Sequence, residues 1–137
     1  MDEDTRRGRE ERPDGAPGDQ RPPRSAELSA ISNAVVRLYS EYYGRGPTRA
    51  KTYWQDDLIV CLLADTFTTV ERTLIEVGRT DQVQQTRLVF QQAMEERFKQ
   101  AIEEITGRHV AAFLSQTAVD PDVAVEVFVL SPEAPAN

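Results

Sequence analysis

The chain has few of the residues from which most catalytic and metal sites are made. Its 137 residues include one cysteine, Cys61, and one histidine, His109. A lone cysteine excludes an intrachain disulfide and fits a reducing compartment. Cys61 lies inside the apolar run Leu58-Ile59-Val60-Cys61-Leu62-Leu63, where a buried, inert thiol is expected rather than a nucleophile. A lone histidine excludes a His-rich metal cluster within a monomer. His109 falls just past the end of a helical pattern, where a cation is favourable and the task is structural. No Walker A sequence, Gly-x-Gly-x-x-Gly or nucleophile elbow is present. The longest apolar run, residues 58–64, is far too short to cross a bilayer, so no membrane insertion is expected. The charged N-terminus lacks the apolar core of a secretory signal. Basic residues are outnumbered 16 to 23, for a net charge of −7. That balance disfavours non-specific attraction to nucleic-acid phosphates or anionic lipid.

Hydrophobic periodicity supplies the architecture. Residues 81–107 form the most regular stretch, with Val83, Phe90, Met94, Phe98, Ile102 and Ile105 recurring at steps of three, four and seven. This is one stripe of a long helix, ended by Gly107. An earlier helix carries Leu28, Ile31, Val35, Leu38 and Tyr42, begins at Ser25 as N-cap, and stops at Gly44. Between the two lies β-type composition over residues 51–54 and 58–63, joined by Gln55-Asp56-Asp57. This reads as a hairpin whose second strand, apolar on both faces, should be central or covered on both sides. Asp56 and Asp57 are assigned to the turn rather than to a metal. Thr68-Thr69-Val70-Glu71 is a capping box that opens a short helix with Val70, Leu74 and Val77 in line. Thr80 or Asp81 then caps the long helix. After Gly107 the period becomes two, giving strands either side of Asp120-Pro121-Asp122. The face holding Val123, Val125, Val127 and Val129 is the one expected to be buried, together with Leu114. The fold class is therefore α+β in two layers: an antiparallel sheet of two β-hairpins packed against helices, in the order α-β-β-α-α-β-β. Residues 1–24 read as a disordered mixed-charge tail with almost no aliphatic content. Residues 25–130 form a single domain, and 131–137 a frayed end.

No catalytic residue and no metal site emerge. Glu95, Glu96, Glu103 and Glu104 read as a solvated helix face. One ligand-binding set can be drawn: the loop Gly44-Arg45-Gly46-Pro47, which would offer backbone amides and a guanidinium to an anion, together with Arg87.

The order of several short motifs resembles a bacterial family named for the C component of a Na+-translocating membrane-potential-generating system (MpsC). The similarity rests on Tyr42-Tyr43-Gly44-Arg45-Gly46-Pro47 and Tyr53-Trp54-Gln55-Asp56-Asp57-Leu58-Ile59-Val60. It continues through Leu74, Gly78, Arg87, Ile105-Thr106-Gly107 and Val127-Phe128-Val129-Leu130, and so covers about 26–130. It implies an accessory subunit of a sodium- and bicarbonate-linked membrane system, with a membrane-transporter protein as partner. It carries over no catalytic residue and no cofactor. The expected function is thus a non-enzymatic, cytoplasmic interaction protein, peripheral to a membrane through its partner. An anion- or small-ligand-binding module is the alternative, and a nucleic-acid-binding αβ module, disfavoured by charge, is the second. A homodimer is expected from the open edges of a two-hairpin sheet and from apolar area on the long helix.

Overall fold

Three helices and one four-stranded sheet make up the computed structural model, which describes residues 24–133. In chain order these are α1 (Ser25–Tyr43), β1 (Arg49–Gln55), β2 (Leu58–Ala64), α2 (Thr69–Glu76), α3 (Thr80–Thr106), β3 (Val110–Ala118) and β4 (Val123–Leu130). The strands are antiparallel and lie in the order β1-β2-β4-β3. The apolar β2 is central, as its composition requires. The tail at 1–23 and the end at 134–137 lie outside the described residues.

The long helices end as expected. Gly44 and Gly107 adopt φ of 84° and 72°, and each donates its N–H to a carbonyl four residues back. That conformation costs glycine nothing and other residues about 1–2 kcal/mol. The starts differ from the reading above. Ser25 and Thr80 are the first helical residues, and the preceding Arg24 and Arg79 make no side-chain cap. Instead, the first helical rings close on the Arg24 and Arg79 carbonyls.

α1 and α3 pack against each other and cover one face of the sheet. Ile31, Val35 and Leu38 from α1 meet Met94, Phe98 and Ile102 from α3 over Ile59, Leu63 and Phe128. Each such side chain contributes about 1.5–3 kcal/mol by leaving water. Cys61 is buried in this layer, with its Sγ 3.2 Å from the Thr52 hydroxyl. Burial pushes its thiol pKa up to about 12, so it is uncharged at neutral pH.

One expectation about the sheet is overturned. The buried face of β4 is Ala124, Glu126, Phe128 and Leu130, and the valine face is the outer one. That face is set by the pairing with β2, whose buried Ile59, Cys61 and Leu63 stand opposite Phe128, Glu126 and Ala124, and in β3 the register shifts between Val110 and Ala112. The extra residue, Ala111, returns Val110 to the inner face with Phe113, while Ala112 and Leu114 turn outward. Leu114 is 55% exposed and Val110 only 1%. β2 is central, as expected, and is covered on one face only among the described residues. Its inner side is buried, but Leu58 and Leu62 on the outer side stand in solvent.

The inward and outward sets of β4 can be told apart by substitution. Phe128→Ala should cost about 3–5 kcal/mol of unfolding free energy. Val125→Ala on the outer face should cost less than about 1 kcal/mol in dilute protein, both measured by urea unfolding.

Candidate functional site

The most unusual chemistry in the fold is a guanidinium inside it. Arg87 occupies the α3 stripe one turn after Val83 and is 2% exposed. Glu71, at the third position of α2, receives it in a two-pronged pair: Nε to Oε2 and Nη2 to Oε1, both 2.7 Å. Nη2 also donates to the Thr66 carbonyl at 3.0 Å. The plane of the guanidinium meets aromatic rings, with Tyr43 at 4.1 Å and Phe67 at 5.1 Å. Nη1 has no hydrogen-bond acceptor among the described residues.

Glu71 is held from a second side by the capping box, which forms in full. The Thr68 N–H donates to Glu71 Oε1 at 2.9 Å, and the Glu71 N–H donates to the Thr68 hydroxyl at 3.1 Å. Burial alone would push the Glu71 carboxyl up. The Arg87 guanidinium and the Thr68 N–H outweigh it and hold the carboxyl below the usual range.

The segment between β2 and α2 is the common target of these contacts. Arg45 Nη1 donates to the Asp65 and Phe67 carbonyls at 2.9 and 2.7 Å, and Nη2 reaches Asp65 Oδ2 at 3.2 Å. From the far hairpin, the Asp122 carboxylate accepts from the Thr66 and Phe67 N–H groups and the Thr66 hydroxyl. Gly46 keeps the Arg45 loop tight against α1. A Cβ there would stand 2.7 Å from the Ser40 hydroxyl and 3.1 Å from Val36. Of the ligand-binding set drawn from sequence, Arg45 and Arg87 therefore do converge. They converge on residues 65–67 of the chain itself, with Arg45 Nη1 and Nη2 and Arg87 Nε and Nη2 directed to protein acceptors, and Gly44 serves as the end of α1.

A second buried carboxylate was missed by the sequence reading because it lies on the face taken to be exposed. Glu126 is 1% exposed and accepts the Tyr39 hydroxyl at 2.6 Å through Oε2. Burial pushes its pKa up to about 7, and the Tyr39 bond offsets that only in part. Burial, reinforced by Glu126, also pushes Tyr39 well above the ordinary tyrosine value. The sequence did carry a signal for Arg87. The α3 stripe skips from Val83 to Phe90, and the missing one-turn position is Arg87. A cation in a buried register implies a buried anion.

Above this network, α1, α2 and α3 border a cleft of about 270 Å³, lined by Tyr42, Tyr43, Val70, Glu71, Leu74 and Phe90. The Tyr43 and Phe90 rings stack at 4.7 Å to floor it. It is slightly smaller than the roughly 300–1,000 Å³ of most small-molecule pockets. His109, at the other end of α3, is exposed, with its Nδ1 3.0 Å from Glu103 Oε2. No group of three or more His, Cys, Asp or Glu side chains suited to a metal occurs among the described residues.

The sequence matches the model of the family described as Na+-translocating membrane potential-generating system (MpsC), over residues 25–132. The chain belongs to the MpsC family. The match spans all seven elements, so the MpsC domain and the fold described above coincide. No helix among the described residues is long and apolar enough to cross a membrane. Comparison with curated proteins and with solved structures gave no match.

The network makes two measurable demands. Arg87→Leu strands a buried carboxylate and should cost about 3–5 kcal/mol in urea unfolding; pairing it with Glu71→Leu should recover much of the loss. Glu126 titrates differently. Its folded pKa of about 7 lies above the ~4.3 of an unfolded glutamate, so the folded state holds the proton more tightly. That contribution is whole below about pH 4 and is lost as pH climbs to about 7, some 3 kcal/mol in all. Glu126→Gln should flatten the slope between pH 4.5 and 7, measured by urea midpoints across that range.

Proposed function

We propose that this chain is a non-enzymatic accessory subunit that works by docking on a protein of the membrane system after which its family is named. Family membership supplies the context. The geometric observation that carries the reading is the helical end of the molecule. α3, at 27 residues, is about 40 Å long and outruns strands of seven to nine residues. α2 packs against α3 there rather than against the sheet. The predicted apolar line of α2 is accordingly left in water, with Val70 69% and Val77 67% exposed, and Leu88 and Val89 of α3 are exposed as well. Of these, Val70 lines the cleft over Tyr43 and Phe90, and Val77 lies about two turns further along the same line of α2. An apolar rim around a cleft of fixed shape suits a side chain or helix of a protein partner. The interior charges supply rigidity to that rim: Glu71 anchors α2 to Arg87 directly beneath it.

The test is capture of an integral membrane protein by the tagged chain from detergent-solubilised membranes of the source cells, across a range of salt. The wild-type chain should retain one such protein. Val77→Glu should lose it at least several-fold while its thermal melt is unchanged. Empty captures at every salt concentration, or capture indifferent to Val77→Glu, would overturn the reading.

A further inference from the structure

The outer face of the sheet is an apolar surface with no cover among the described residues. Register aligns its side chains in rows across all four strands. One row runs Tyr53, Val60, Val127, Leu114 from edge to edge. On the central strands β2 and β4 this face is aliphatic throughout, and none of the chain's 23 acidic residues falls on it in any strand. The two residues at the ends of the row, Tyr53 and Leu114, are 52% and 55% exposed, and the valines between them are half-buried.

We propose that a second copy of this chain covers the face, the two sheets packing about a two-fold axis that runs along the strands. Composition argues first. β2 is apolar on both sides, and β4 is too but for Glu126, the pattern of strands buried on both faces, yet one chain buries only one. Geometry argues next. A sheet twisted by a given amount packs well on a sheet of the same twist, at about 10 Å separation. The stated axis lays β1 of one protomer over β3 of its partner. Tyr53 then meets Leu114, and Lys51, the cation of the neighbouring row, meets Gln116 rather than another lysine. Edge-to-edge pairing is the less favourable way to dimerise. β1 carries Arg49 and Lys51, and β3 is bulged at Ala111, both of which blunt an edge strand.

Size decides the strength. Four strands at about 4.8 Å spacing and seven residues at about 3.3 Å rise give each face a projected area of roughly 440 Å². That is within the range of the largest apolar patch a monomer leaves bare. Two such faces bury on the order of 900 Å², at the weak end of specific interfaces. A dimer dissociating at about 1–100 μM is therefore expected. Other occupants fit less well. Residues 1–23 are mostly charged residues, proline and glycine and offer almost no aliphatic side chains. A lipid surface would be opposed by the net charge of −7. This inference does not depend on the accessory reading, which concerns the helical end.

Sedimentation velocity of the full chain from about 1 to 300 μM tests it. A monomer–dimer equilibrium is expected. Leu114→Glu, and the milder Leu114→Gln, should weaken it at least tenfold while far-UV circular dichroism and the melt of the dilute protein stay unchanged. Val77→Glu should leave it intact. A monomer throughout the range overturns the proposal, as does a dimer indifferent to both Leu114 variants. Capture of a membrane protein that is lost in Leu114→Glu, with the chain alone monomeric, would give the face to that partner and also overturn it.

Discussion

A guanidinium nearly free of solvent dictates much of the arrangement around it. Stripped of water, Arg87 would cost several kcal/mol, and only a carboxylate with good geometry and further hydrogen bonds can offset that. Glu71 meets the condition because two separate requirements coincide on it. Its backbone position caps α2, and its carboxylate neutralises α3. An eight-residue helix is marginal by itself. α2 is therefore held less by its own propensity than by the charge it delivers to its neighbour. The same pair fixes residues 65–67, since Arg87 takes the Thr66 carbonyl while Arg45 and Asp122 take the remaining polar groups of that crossing.

Much of this was legible before any coordinates. The element order, the central place of β2, the capping box and both glycine stops follow from periodicity and local chemistry, which act over a few residues. The misreadings have another origin. The buried face of β4 is set by its pairing with β2, a contact distant in sequence, and both sides of β4 are apolar but for Glu126. Ala111 has no local signature that marks a bulge, and that extra residue puts Val110 and Leu114 on opposite faces. The Arg45–Arg87 set was legible as a pair of cations but not as a pair of staples. Their partners lie in a segment brought to them only by the crossing from β2 to α2. α2 shows the reverse case. Its Val70, Leu74 and Val77 have the spacing of a buried stripe, yet among the described residues no element covers Val70 and Val77.

The facing of β4 gives the two sides of the sheet different characters. Inside, Glu126, Thr52, Ser115 and Thr117 interrupt the apolar layer, and the first two tie it to Tyr39 and Ser32 on α1. Outside, the central strands carry no polar group at all. Natural sheets that face water usually alternate apolar with polar residues, and this one does not. The selective removal of acidic residues from one face, in a chain where they outnumber the bases, is difficult to reconcile with a surface meant only for solvent.

The interior charges also explain how a small domain keeps its outer surfaces in fixed relation. An apolar stripe of leucine-like volume tolerates a helix sliding by a turn, since one methyl-bearing side chain replaces another. Arg87 tolerates no such slide, because a displacement of one turn, about 5.4 Å, would separate its fork from both Glu71 oxygens and from Thr66 at once. On α1, Tyr39 makes the same demand through Glu126. Both long helices are thus registered against their neighbours by a directional polar contact, and non-directional packing supplies the bulk of the energy. The rim of Val70 and Val77 and the rows of the open sheet face belong to different layers. It is this pinned registration that lets both keep their shape in the same molecule.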